Sequence, residues 1–183
     1  MNRLPDTKTL AKRAAKLRII LLDVDGVLTD GGIILFGEDG EAKRFDVKDG
    51  MGITLAKLAG IEVGIVTSRD SEVVRRRASE LGIEHVYQGA RQKSETLDIV
   101  LENLGLDPSQ VAFIGDDIQD IPIMRRVGFP VAVQDAMPEV KKHSVYVTEA
   151  QGGHGAVREA IEWMLQLRGD REKVYQSVTG ETS

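Results

Sequence analysis

Asp23 and Asp25 stand two residues apart, at the end of the apolar run Ile19-Ile20-Leu21-Leu22. Thr67, Lys93 and the group Asp116, Asp117 and Asp120 follow much later in the chain. A carboxylate can attack phosphorus to form an aspartyl-phosphate, which splits one hard hydrolysis into two easier steps. A second acid two residues on can protonate the leaving alkoxide and later take a proton from the attacking water. Three or four carboxylates brought together repel, and some are driven to protonate unless a cation neutralises them. Oxygen donors without His or Cys select a hard ion, and a few carboxylates with waters suit Mg²⁺ better than a calcium cage. Lys93 and the Thr67 hydroxyl would then face an anion that also touches the metal, as a phosphate does. Taken singly, each residue has a plainer reading: turn acids at a strand end, acids enriching a helix N-terminus, a β-forming threonine, a surface lysine. Only their combination points to chemistry.

The elements that must position these residues follow from periodicity. Short β-branched runs at 18–24, 62–68, 85–88, 111–115, 130–133 and 144–147 read as strands. They alternate with helix-period segments at 50–59, 71–81, 93–104, 118–127 and 156–167, the signature of βαβ units and a parallel sheet. The expected fold is α/β: a Rossmann-like parallel sheet with helices on both faces. Such sheets bind ligands at the carboxyl ends of their strands. Asp23 and Asp25 follow the first strand, Thr67 and Arg69 the second, and Asp116 the fourth, while Lys93 opens the helix after the third. Each helix ends close to a glycine (Gly60, Gly82, Gly105, Gly128, Gly169), and Ser71 and Ser94 read as N-terminal caps.

One segment breaks the rhythm. Residues 31–47, with a glycine-rich turn at Gly37-Glu38-Asp39-Gly40, read as a β-hairpin flap directly after the first strand. The flap leaves Ile33, Leu35 and Phe45 without an obvious core inside one chain. The tail 169–183 has weak periodicity and reads as mobile.

The chain of 183 residues is read as one domain. It has no cysteine, so disulfides and thiolate-metal sites are excluded. No apolar stretch approaches the ~20 residues needed to span a bilayer, and no apolar leader opens the chain, which makes a cytoplasmic setting the expectation. The net charge is −5. Residues 1–18 nevertheless hold six basic side chains against Asp6, so the rest is strongly acidic. The basic lead-in 1–17 reads as a solvated helix with a Leu10, Ala14 and Leu17 stripe rather than a nucleic-acid or membrane anchor. An acidic body disfavours nucleic acid as a partner.

Asp23-Val24-Asp25-Gly26-Val27-Leu28-Thr29, Thr67, Lys93 and Gly115-Asp116-Asp117-Ile118-Gln119-Asp120 resemble, in order and spacing, the four motifs of the haloacid dehalogenase superfamily. The segments 23–32, 45–50, 87–89 and 152–159 are similar to the 3-deoxy-D-manno-octulosonate 8-phosphate phosphatase family. That resemblance implies a Mg²⁺-dependent phosphatase with Asp23 as nucleophile and metal ligand. It makes Asp25 the general acid/base, binding metal through its backbone carbonyl, and Asp116 the other protein ligand. It further implies Asp117 supporting the metal's waters, Asp120 orienting Lys93, and Thr67 with Lys93 holding phosphate. Sugar contacts are implied at Asp46, Val47, Lys48, Asp49, Gly50, Arg69 and Arg77. Here a guanidinium suits the substrate carboxylate.

Water must be kept out during phosphoryl transfer and admitted afterwards. The gaps from Asp25 to Thr67 and from Thr67 to Lys93 are consumed by the hairpin and single helix–strand units, so no cap domain fits. The resembled family is tetrameric through its hairpin, which implies a homotetramer whose neighbouring subunit covers the site, with the tail 174–183 near that neighbour. Ser68 stands where the family usually has glycine, and Thr54 where it often has a sugar-binding arginine. A nine-carbon keto-sugar acid 9-phosphate is therefore the alternative substrate, although Arg69 favours the eight-carbon one. A phosphoacceptor receiver lacks the second acid, and a silent oligomerisation module would not need the full catalytic set.

Overall fold

The computed structural model describes residues 5–38 and 40–180. Six strands, β1 (Ile19–Leu22), β4 (Glu62–Val66), β5 (His85–Tyr87), β6 (Val111–Gly115), β7 (Phe129–Ala132) and β8 (Tyr146–Val147), form one sheet in the order β5-β4-β1-β6-β7-β8. Every pairing in it is parallel. The strands β2 (Ile34–Phe36) and β3 (Gly40–Ala42) form a separate antiparallel hairpin. The central strand β1 is buried on both faces, which is why it reads as an unbroken aliphatic run rather than an alternating one.

The helices are α1 (Thr7–Ala14), α2 (Val47–Leu58), α3 (Glu72–Glu80), α4 (Lys93–Leu104), α5 (Ile121–Met124), α6 (Pro138–Lys141), α7 (Ala156–Arg168) and α8 (Arg171–Thr179). From β1 the chain winds outward through α2, β4 and α3 to β5. It then crosses back by α4 to β6 and winds the other way to β8. Right-handed crossovers put the helices of the two halves on opposite faces of the sheet. In agreement, α7 packs against both α1 and α2 while α4 packs against α5. The winding direction reverses between β1 and β6, and the crevice beyond their carboxyl ends is where such sheets hold ligands.

Several local expectations change. The helix expected at 50–59 starts at Val47, because the extended Asp46 accepts a hydrogen bond from Lys48 N at 2.8 Å and caps it. Val47 thus leaves the hairpin, whose return strand pairs only at 40–42. Ser94 is no cap: Gln92 holds that position, and the Ser94 carbonyl and hydroxyl accept from Arg126 at 2.8 and 2.9 Å. The helix expected at 118–127 breaks into a 3₁₀ turn, Ile118–Asp120, followed by the short α5. The cause is Asp120, whose carboxylate reaches back to backbone N–H groups of the preceding turn. The tail read as mobile forms α8, with Val174 buried against the body. Phe45 is half-buried against the core under Arg77, whereas Ile33, Ile34, Leu35 and Phe36 stay exposed.

The basic lead-in becomes α1, capped by Asp6 through Thr9 N at 2.8 Å, and its Leu10, Ala14 and Leu17 are buried. Residues 1–4, Asp39 in the hairpin turn and residues 181–183 lie outside the described residues. Between β1 and β4 the described chain holds only the hairpin and α2, and between β4 and β5 only α3.

Candidate active site

Asp23 sits one residue past β1, its N–H still bonded to Ile114 O at 3.1 Å, so the sheet itself fixes the carboxylate's origin. One carboxylate oxygen accepts from Val24 N at 2.7 Å and the other from Lys93 Nζ at 2.7 Å. Lys93 is buried and gives a second bond to Asp120 Oδ1 at 2.6 Å. Asp120, wholly buried, accepts from Asp116 N at 2.9 Å and Asp117 N at 3.3 Å with its other oxygen. Asp117 turns its own carboxylate to Ile118 N at 2.7 Å. Thr67 is buried just past β4, where its Oγ1 accepts from Arg69 N at 3.4 Å.

A pocket of about 150 Å³ gathers Asp23, Asp25, Thr67, Lys93, Asp116 and Asp117, with Ser68, Arg69 and Gln119 at its edge. The volume suits a phosphate-sized group. A larger cleft, of about 820 Å³, lies at the other sheet edge and contains none of these residues.

Two glycines make the approach of the acids feasible. Gly26 has φ +89°, and a Cβ there would lie 2.1 Å from Asp116 Oδ2. Gly152 sits so close that a Cβ would meet Gly26 O at 1.8 Å, and Gly153 N bonds Val27 O at 2.9 Å. The glycine-rich turn before α7 is therefore a buttress for the loop after β1, not a phosphate cradle. Within that loop the buried Thr29 hydroxyl donates to Val24 O at 3.3 Å and accepts from Gly31 N at 3.2 Å.

The sugar contacts expected at the start of α2 fall outside the pocket. Asp46 is the α2 cap. Asp49, 1% exposed, accepts from Gly155 N at 3.3 Å and Arg158 N at 2.9 Å, tying α2 to the start of α7. Gly50 is buried, and a Cβ there would lie 2.8 Å from Arg77 Nη2. Arg77 lies over Phe45 and pairs with Glu80 at 3.3 Å. Val47 and Lys48 are exposed. Of the expected set only Arg69 borders the pocket, and Thr54 spends its hydroxyl on Gly50 O at 3.2 Å.

Two residues absent from the sequence reading reach the site from the hairpin. The Lys43 side chain is fully buried and forms ion pairs with Asp25 and, at 3.1 Å, with Glu41. Glu41 also accepts from Arg69 at 3.3 Å and from Ser71 Oγ at 2.7 Å. Arg69 Nε stands 3.8 Å from Asp25 Oδ2. The signal available was strand period: Glu41 and Lys43, two apart, face the same side. Their partners, however, are 18 and 30 residues away in sequence.

The electrostatics call for a cation. Ligand oxygens of Asp23, Asp116 and Asp120 lie within 4.8 Å of one another. Both Asp120 oxygens already accept hydrogen bonds, whereas the buried Asp116 Oδ1 has no hydrogen-bond partner among the described residues. Burial, then the charges of Asp23 and Asp120, push the Asp116 carboxyl up to about 8. Burial also raises Asp23 to about 6 against the pull of Lys93. Burial lowers the Lys93 ammonium, but Asp23 and Asp120 outweigh it and the net shift is upward. Asp23 and Asp116 thus supply the carboxylates that fit a hard divalent ion such as Mg²⁺, with Asp120 committed to holding Lys93 and the backbone.

A family model described as haloacid dehalogenase-like hydrolase matches residues 77–161. The 3-deoxy-D-manno-octulosonate 8-phosphate phosphatase of Escherichia coli K12 is 42% identical over 165 residues, 90% of this chain and 88% of that protein. The crystal structure of the phosphatase of that name from Yersinia pestis superposes with a TM-score of 0.87 at 41% identity, covering 90% of this chain and 89% of that one. The enzyme from Moraxella catarrhalis, solved with magnesium, phosphate and a KDO molecule, gives a TM-score of 0.90 at 36% identity, over 94% and 99% of the two chains.

Carboxyls raised in the folded state bind protons that the unfolded chain has already released. Stability of the metal-free protein should therefore fall as pH rises from about 4 through 6 and on to 8. Mg²⁺ competes with those protons, so its stabilisation should grow with pH. Thermal melting with EDTA or Mg²⁺ at pH 5.5 and pH 8 checks this. The Mg²⁺-induced rise in Tm should be larger at pH 8, and an equal or smaller rise there would contradict the assignment of Asp23 and Asp116 as ligands.

Proposed function

This chain belongs to the 3-deoxy-D-manno-octulosonate 8-phosphate phosphatases, within the haloacid dehalogenase-like hydrolases, and on that premise we propose that it hydrolyses 3-deoxy-D-manno-octulosonate 8-phosphate to the free sugar acid and phosphate, with Mg²⁺ as cofactor. The observation that carries the reading is the pocket in which Asp23, Asp25, Thr67, Lys93 and Asp116 converge at the switch point of the sheet.

Thr67 and Lys93 hold the phosphoryl oxygens, and the Lys93 bond keeps the Asp23 carboxylate in a fixed orientation. Asp23 attacks phosphorus; the bond to the sugar oxygen breaks, and that oxygen takes the proton from Asp25. Asp25 then takes a proton from water as the water oxygen bonds to phosphorus. The Asp23–phosphorus bond breaks, and phosphate leaves with the carboxylate restored. Mg²⁺, when bound, offsets the crowded negative charge of Asp23, Asp116 and the transferring phosphoryl oxygens. Asp117 and Asp120 act through Lys93 and the loop they cap rather than on the substrate.

At the sugar end, Arg69 faces the substrate carboxylate, and the exposed Val47 and Lys48 offer further contact, while Asp46, Asp49, Gly50 and Arg77 shape the turn behind them. Lys43 sets the position of Asp25 and ties the base of the hairpin to the side of the pocket. The exposed Ile33, Ile34, Leu35 and Phe36 need a partner, and a homotetramer with hairpins at its centre supplies one while the neighbouring subunit covers the open site. The cytoplasmic setting belongs to the same proposal. A nine-carbon keto-sugar acid 9-phosphate is the second reading, favoured by Thr54, a neutral residue that donates to Gly50 O where the family often places a sugar-binding arginine.

Light scattering at micromolar concentration is expected to give four times the chain mass of 20.1 kDa; a mass of one chain would overturn the assembly. Hydrolysis of a panel of sugar phosphates tests the reaction. Asp23→Asn should abolish turnover, and Asp25→Asn should cost about 10²–10⁴-fold on the sugar-acid phosphate. Lys43→Met should slow that substrate at least about tenfold. Its effect on p-nitrophenyl phosphate should stay below about threefold, because that leaving group needs little protonation. Wild-type rates for Asp23→Asn would overturn the mechanism, equal rates on glucose 6-phosphate the specificity, and equal losses on both Lys43→Met substrates the role of Lys43.

A further inference from the structure

At the sheet edge opposite the carboxylates, cations from separate stretches of chain converge on one open cleft of about 820 Å³. Arg13 and Lys16 come from the end of α1 and just beyond it, Arg125 from just past α5, and Lys141, Lys142 and His143 from the end of α6. Ser109, Gly128 and Val145, which also line the cleft, precede β6, β7 and β8, so it lies at the amino ends of these strands, away from the carboxyl ends of β1, β4 and β6 that carry the active site. Among the described residues that line it there is no Asp or Glu, in a chain whose net charge is −5.

The cations are poorly compensated. Among the described residues Arg13, Lys16 and Arg125 form no ion pair with a carboxylate. Arg125 Nη2 instead stands 3.2 Å from His143 Nε2. Lys142 pairs with Glu139 at 2.6 Å, Lys141 donates to Gln134 O, and Asp107 feels the charge of Lys16. Arg13, Lys16 and Arg125 therefore carry charge that a bound anion would offset. Met124, Val127 and Pro130, all buried side chains, also line the cleft and give it an apolar side. The volume falls in the range of about 300–1,000 Å³ typical of small-molecule clefts. A nucleic acid would instead require a basic stripe running over more of the surface than this acidic body provides.

We propose that this cleft binds a nucleoside polyphosphate, its phosphates on Arg13, Lys16 and Arg125 and its base on the Met124, Val127 and Pro130 side, apart from the phosphatase site. Isothermal titration of the full chain, free of divalent metal, with ATP and with inorganic tripolyphosphate as probes tests this. One ATP should bind per chain with a micromolar Kd, about tenfold tighter than tripolyphosphate and weaker at higher salt. The exposed pair Arg13→Gln/Arg125→Gln should lower ATP affinity at least about tenfold while sugar-phosphate hydrolysis stays unchanged, which also reports an intact fold. Lys93→Met should leave ATP binding as it was. No binding at millimolar ATP, or loss of binding in Lys93→Met rather than in the cleft variant, would overturn the site. Equal affinity for the two probes would overturn the nucleoside assignment, and tighter binding of a DNA duplex than of ATP would overturn the small-ligand reading.

Discussion

Mutual repulsion among Asp23, Asp116 and Asp120 is the constraint around which this molecule is organised. Three carboxylates whose oxygens lie within 4.8 Å of one another share a single ammonium, Lys93. That cation is spent on Asp23 and Asp120, which leaves Asp116 with a buried oxygen that has no hydrogen-bond partner among the described residues. Such an arrangement is costly by itself and becomes favourable when a divalent ion and a phosphoryl group complete it. The site is thus built for a bound state.

The scaffold carries this strain by fixing backbone rather than side chains. β1 and β6 pair directly, with Leu22 opposite Ile114, so the two acidic loops leave the sheet side by side. Gly26 turns the first loop tightly enough for the Asp116 carboxylate to lie against it, and the Gly152-Gly153 turn backs that loop from the other side. Asp49 fastens α2 to that same turn through Gly155 and Arg158. On the other flank the hairpin contributes charge rather than shelter: Lys43 and Glu41 link Asp25, Arg69 and Ser71 into one network.

How much of this can be read from the chain depends on the reach of each interaction. Asp23 and Asp116 were legible because parallel strands end where the apolar runs end, and residues past those ends share one crevice. Lys93 was legible only beside them. Lys43 and Glu41 were not, because a strand pattern shows which face they occupy but not what that face meets. The break after Asp117 was hidden because Ile118, Ile121 and Met124 keep helical spacing, while the bonds that divert Asp120 arise only in the folded loop. The helix α8 was missed because a single buried residue, Val174, gives almost no periodic signal. Asp49 looked like a substrate contact, yet its acceptors are needed by the N–H groups that open α7.

A crystal structure with Mg²⁺ and orthovanadate tests the account most directly. It predicts vanadium within bonding distance of an Asp23 carboxylate oxygen, Lys93 and Thr67 on the vanadate oxygens, and one Mg²⁺ touching both Asp23 and Asp116. Vanadate held without a bond to Asp23, or a metal seated away from the Asp23–Asp116 pair, would contradict it.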